Sequence, residues 1–158
     1  MKSIKERGLF KENIKSILFK NENVMRVLFD NYDDLNAKQR MSAFKNNVKS
    51  HLFIDDTLED KESFIFFDVV IPNLAPQIKT CKIVLFTICH RSLLDDYYFD
   101  GYYGNRADIL SEVVEEALCN PDNAKQFGIG ELTLEGVDIY NTDNYYGVNL
   151  IFEAECFR

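Results

Sequence analysis

Two short runs, "SFIFFDVVIP" at 63–72 and "KIVLFTICH" at 82–90, constrain this chain more than any other feature. Each is apolar on successive residues, β-branched and aromatic, and shorter than an ordinary helix. A strand sends successive side chains to opposite faces, so runs like these read as strands covered on both sides. The intervening "PNLAPQIKT" is long enough for a loose turn and lets the two pair antiparallel. Pro72 halts the first, because proline brings no N–H to a ladder. Asp68 interrupts it; since an unpaired buried carboxylate is costly, it is expected at an edge or beside a partner.

Upstream the period is helical. In "LFKENIKSILF" the residues Leu9, Phe10, Ile14, Ile17 and Leu18 follow one helical face. A short turn over Val24–Phe29 is followed by the polar break "DNYDDLN". Then "LNAKQRMSAFKNNVKS" sets Met41, Phe44 and Val48 on one stripe, away from Lys38, Lys45 and Lys49. Asn36 with Gln39 three positions on is a capped helix start.

Downstream, "NRADILSEVVEEALCNP" reads as a helix. Asn105 is its N-cap, Asp108 suits the positive end of the dipole, and Pro121 closes it. Ala107, Leu110, Val113, Val114, Ala117 and Leu118 form the buried stripe, with Glu112, Glu115 and Glu116 outside it. The last third reads as a hairpin. "GELTLEGVDIY" puts Leu132 and Leu134 on one face, and Gly136 then shifts the phase, since Val137 and Ile139 are odd-numbered: a bulge. "NTDNYYG" turns the chain, and Val148, Leu150, Phe152, Ala154 and Cys156 alternate inward against Glu153 and Glu155. Helices, two strands, helix, two strands make a single α+β domain over 1–158. It has a helical region at 1–50 and a body of about four antiparallel strands with a helix between the strand pairs at 51–158.

Charge divides at the same place. Residues 1–50 carry eleven Lys or Arg against six acids, and residues 51–158 carry seven against twenty. An acidic body repels nucleic acid, whereas the basic first third can dock on acidic surface. No apolar run approaches the roughly 18 residues that span a bilayer, so no membrane partner is expected. The start "MKSIKERGLFKEN" lacks the apolar stretch and cleavage site of a signal peptide, which implies synthesis and retention in the cytoplasm.

Chemistry is sparse. Cys81, Cys89, Cys119 and Cys156 lie far apart without a C-x-x-C pair and read as buried, reduced thiols. His51 with Asp55 and Asp56 is the only conceivable metal cluster, and reads better as a polar loop. His90 ends a strand beside Arg91. "FGIGEL" lacks the Lys-Ser/Thr of a phosphate loop and leads into a strand. No serine sits in a G-x-S-x-G elbow. No catalytic residue, metal or cofactor is therefore assigned, and an enzyme is not expected. What stands out is "RSLLDDYYFDGYYGNRADIL" at 91–110. Tyrosines offer large contact area with a polar tip. Tyr97, Tyr98, Tyr102 and Tyr103, with Asp95, Asp96, Asp100 and Arg106, are the candidate interface, the aspartates pairing with the basic helices of an adjacent copy.

From "GYYGNRADILSEVVEEAL" through "FGIGELTLEGVDIYNTDNYYGVNLIFEAECF" the chain resembles small neck and tail-completion proteins of tailed bacteriophages, particularly the tail-terminator type. The shared features are an Arg-x-Asp helix start (Arg106, Asp108), a "GIG-x-L" strand and a strand opening "YYG", with "KIVLFTICH" before them. The resemblance covers residues 50–158; the helical first fifty residues are longer than in that type. It implies a virion protein forming a ring, usually of six subunits, where the head connector meets the tail tube. Such a ring stops tube growth, docks on the connector and leaves a channel through which DNA passes without specific binding. Closed cyclic symmetry needs two different patches per subunit, and the basic helices and acidic body supply them. Two alternatives stand beside this reading. One is another neck position such as a head-closure protein, which the mixed helix-and-strand order disfavours. The other is a monomeric acidic protein-binding module or nucleic-acid mimic.

Overall fold

The computed structural model describes residues 4–52, 60–73, 78–123 and 131–157, with side chains omitted at 4–6, 72–73, 78–79 and 155–157. In chain order the elements are α1 (Ile4–Lys20), α2 (Glu22–Leu28), α3 (Ala37–Asn47), β1 (Val48–Lys49), β2 (Ser63–Asn73) and β3 (Ile78–His90). After them come β4 (Tyr97–Phe99), β5 (Tyr102–Gly104), α4 (Arg106–Leu118), β6 (Thr133–Asn141) and β7 (Tyr145–Phe157). This is the α+β class.

The two apolar runs form neighbouring antiparallel strands, β2 and β3, and β3 sits at the centre of a five-stranded sheet ordered β1-β2-β3-β7-β6. Both faces of these strands are covered. Ile65, Phe67, Val69, Ile83 and Leu85 join one core with Val148, Leu150 and Phe152; Phe64, Phe66, Ile88 and Tyr145 form a smaller cluster on the other side. The sheet is mixed rather than purely antiparallel. Val48 is not part of a helical stripe: it begins β1, which pairs parallel with Ile65 and Phe66 of β2. A bulge lies in β6 where Gly136 was expected to shift phase, because Leu134 pairs with Phe152 and Gly136 with the adjacent Ile151.

Helices α1, α2, α3 and α4 each contribute to the larger core. α4 packs on β3 and β7, α1 packs beside it over β2, and α2 packs against both helices. Phe10, Ile14, Ile17 and Leu18 of α1 are buried as the spacing requires, but Leu9 faces solvent, and so does much of Met41 in α3. Local signals hold at the helix starts. Asn36 and Gln39 form a reciprocal capping box at 2.9 Å each way, and the Asn105 side chain accepts the N–H groups of Ala107 and Asp108. Buried Thr87 on β3 and Ser111 on α4 share a 2.6 Å hydrogen bond, and Ser111 donates to the Ala107 carbonyl, so the polar groups between sheet and helix are satisfied.

Asp68 lies at the sheet edge, as its charge demands. Arg7 and Lys11 of α1 reach its carboxylate at 2.5 and 2.7 Å, and the Val69 N–H donates to it at 2.8 Å. Burial pushes this carboxyl up, but the Lys11 and Val69 hydrogen bonds and the two cations outweigh it and hold it below the ordinary carboxylate range.

Candidate interaction surface

Between β3 and α4 the tyrosine-rich segment forms a second, two-stranded sheet. Phe99 pairs with Tyr102, Tyr98 with Tyr103, and Tyr97 with Gly104. Asp100 and Gly101 make its two-residue turn, with φ of 46° and 86°, the sign pattern of a type I′ turn. The signal was present as "FDGY", since Asp-Gly between aromatic residues favours this turn. Asp96 too sits in the left-handed region, at φ 57°, a backbone conformation uncommon outside glycine.

Directly opposed residues share a face, so the hairpin has two sides. Tyr97 and Phe99 are half-buried and pack against the main core. Tyr98 and Tyr103 point away from it as a neighbouring pair, 66% and 69% exposed. The Tyr103 hydroxyl donates to Asp96 at 2.6 Å, which pushes that phenol's pKa up. Tyr102 stands beside Glu112 and Glu116 of α4, whose charges push its phenol up as well. Both hydroxyls thus remain protonated donors across the physiological range. Asp95 and Asp100 are exposed nearby. The surface is two aromatic rings within a collar of carboxylates.

Arg106 does not belong to that surface. Its residue is only 3% exposed. The guanidinium donates to the Val27 carbonyl from Nε at 3.0 Å and from Nη2 at 2.6 Å, and pairs with Asp30 at 3.0 Å. Its Cζ lies 4.6 Å from the centre of the Tyr97 ring. Arg106 is a staple joining the end of α2, the start of α4 and the underside of the hairpin. Sequence reading missed this because the Val27 carbonyl lies 79 residues upstream, beyond any local pattern. The hairpin base is fixed at two further points: the Arg106 N–H donates to the Leu94 carbonyl at 2.8 Å, and Arg91 donates to the Thr142 carbonyl in the turn before β7.

The remaining candidates separate. Asp55, Asp56 and the glycines of "FGIGEL" lie outside the described residues, and His51 is exposed. His90 bonds Ser92 at 2.8 Å and stacks edge-on against Tyr145. Among the described residues no three His, Cys, Asp or Glu side chains come together to hold a metal. Cys81 and Cys89 are buried, Cys119 is half-buried, and the Cys156 side chain is not described. Burial pushes the Cys89 pKa up to about 11, against the opposing hydrogen bond from Ser63.

A family model described as YomW matches residues 12–154. No curated protein matches the chain.

Proposed function

This chain belongs to the YomW family, which is phage-associated, and on that premise we propose that it is a structural protein of a tailed-phage particle. It acts as a tail-terminator or neck component: a ring that caps the tail tube, joins it to the head connector and leaves a channel for DNA. The protein works through the surfaces it offers to other chains and has no bond-making centre of its own. The observation that carries this reading is the β4–β5 hairpin. Tyr98 and Tyr103 stand paired and outward on a scaffold pinned from beneath by Arg106 and the core. Aromatic rings exposed on rigid backbone lose little freedom when a partner covers them, which makes them strong contact residues.

Electrostatics supports the same reading. The acidic body, seven cations against twenty acids, offers DNA no ring of cations to grip, so a passing duplex is not held. The hairpin's carboxylates favour a basic partner surface on another protein of the particle.

Two measurements test the proposal. Particles made without this protein should appear by negative-stain microscopy as separate heads and tails, with tails of abnormal length; normal joined virions would refute it. The double variant Tyr98→Ser/Tyr103→Ser should abolish joining while its melting temperature stays within about 2 °C of the parent, because exposed side chains contribute little to folding. Should the chain stay monomeric even with tail tubes and connectors present, yet bind a basic protein through the hairpin, the acidic binding-module reading replaces this one.

A further inference from the structure

Strand β1 is two residues long and pairs only with Ile65 and Phe66. Among the described residues the first part of β2 therefore has no strand on its outer side. The Asn47 side chain, at the end of α3, takes that place: its Nδ2 donates to the Ser63 carbonyl at 2.9 Å. Beside this junction lies a cleft of about 350 Å³, set between the end of α2, the helix α3 and the approach to β2. That volume falls within the range of small-ligand sites. Asp60, Glu62 and Phe64 all line it, as alternate residues on an extended segment share one side.

The cleft is apolar within and rich in acceptors. Phe29, Leu35 and Phe64 supply the apolar wall, while the exposed Asp60 and Glu62 stand at its mouth with Asn31 and Asn46. Among the described residues no Lys, Arg or His lines it, and no cation pairs with either carboxylate. Asn47 is only 4% exposed, and with its Nδ2 spent on Ser63 its Oδ1 has no hydrogen-bond partner. That oxygen is not sealed off from solvent, and Asn47 lines the cleft. A nearly buried acceptor without a donor costs free energy until one reaches it.

The acid-bearing backbone is held in place. The Tyr145 hydroxyl and the Glu62 N–H donate to the Asp60 carbonyl at 2.7 and 2.9 Å, and the His90 N–H donates to the Glu62 carbonyl at 3.1 Å. Both carboxylates thus sit on a segment tied to β3 and β7, so a ligand has little to order on binding.

We propose that this cleft binds an arginine side chain presented by another protein. A guanidinium carries its N–H donors in a planar fork and stacks on aromatic faces. The cleft offers it two carboxylates and the Asn47 oxygen as acceptors, and Phe29 and Phe64 as walls. An anion would meet carboxylates and no cation. A neutral apolar group would leave the Asn47 oxygen unpaired and strip water from two charges. A lysine ammonium brings the charge without the planar stack. The site does not involve the β4–β5 hairpin and stands whether or not the chain forms a ring.

Titrations of the isolated chain followed by NMR test it, with three probes: an end-blocked Gly-Arg-Gly peptide, the same peptide with neutral citrulline for arginine, and ethylguanidinium. The arginine peptide and ethylguanidinium should shift the same signals to saturation: the Asn47 side-chain amide and the backbone N–H groups of Glu62 and Phe64. The citrulline peptide should bind at least about tenfold more weakly, as loss of charge-assisted hydrogen bonds requires. Asp60→Asn/Glu62→Gln should weaken the arginine peptide by a similar factor with an unchanged melting temperature, because the backbone bonds at 60–62 stay in place. Equal binding of the citrulline peptide, full affinity in the double variant, or no saturable shift with the arginine peptide would each overturn the proposal. Ethylguanidinium binding with the arginine peptide excluded would overturn it too, by making the site one for a small free cation. None of these results bears on the ring.

Discussion

Replacing Arg106 should cost more than any other single change on the hairpin's support. Arg106→Ala removes two charge-assisted hydrogen bonds to the Val27 carbonyl and leaves that carbonyl unpaired in a buried position, worth about 1.5–3 kcal/mol. Loss of the stack on Tyr97 adds about 0.5–2 kcal/mol. The Asp30 pair adds little, because that carboxylate is 68% exposed and solvent screens such pairs to at most about 1 kcal/mol. The sum is about 2–6 kcal/mol, which at about 2–4 °C per kcal/mol for a chain of this size lowers the melting temperature by roughly 4–24 °C. Differential scanning calorimetry of four variants separates the parts. Arg106→Ala should show the full loss. Arg106→Met keeps the apolar stem and should recover a fraction. Arg106→Lys keeps the charge but has neither the planar stack nor the forked donors, and should fall between. Asp30→Asn should shift the midpoint by no more than about 3 °C. The reasoning fails if Asp30→Asn costs as much as Arg106→Ala, or if Arg106→Ala moves the midpoint by less than about 2 °C.

Three further outcomes follow from single sites. The Asp68 carboxyl is held below its ordinary value of 3.8 in the folded chain, so the unfolded chain binds the extra proton as pH falls. Its stabilisation is present above that value and lost below it, and Asp68→Asn should flatten the acid limb of the stability curve below about pH 4; an unchanged limb would refute the assignment. A Cβ at Gly147 would meet the Thr87 carbonyl oxygen at 2.6 Å, so Gly147→Ala should destabilise by about 1–3 kcal/mol in urea titration, and a neutral result would show that β7 shifts freely. With the Cys89 thiol at about 11 and buried, site-resolved alkylation at pH 8 should label half-buried Cys119 well before Cys89; the reverse order would place Cys89 at the surface.

Much of this fold was legible because its signals are local. The apolar runs of β2 and β3, the Asn36–Gln39 box, the Asn105 cap and the phase shift at Gly136 each lie within a few residues of their consequences. Expectations failed where a distant element decided the outcome. Leu9 fits the α1 stripe by spacing, yet lies on the side away from the core; Val48 continues the α3 stripe by count, yet pairs with Ile65. Val137 and Ile139 alternate correctly on the sheet face, and only the packing of α4 on β3 and β7 shows that this face is bare. At the candidate surface, composition located the tyrosines but not their order. The register separates outward Tyr98 and Tyr103 from half-buried Tyr97, and Arg106 moved from the surface to the interior because its partners are backbone atoms of α2.

That inward place gives Arg106 a bearing on binding as well as folding. A partner that closes on a mobile loop must freeze each contact side chain, at about 0.5–1.5 kcal/mol apiece. Here the strands are already paired, the Asp100–Gly101 turn has adopted its left-handed backbone, and Tyr103 is tied to Asp96. The guanidinium under Tyr97 holds the inner side of the hairpin and so fixes the direction in which the outer side points. Arg106→Lys should therefore weaken assembly beyond its effect on melting, although the residue touches no partner. Tyr98→Ser should weaken assembly with little effect on melting. If both variants lost assembly only in proportion to stability, the hairpin would be part of the core's margin and not a prepared contact.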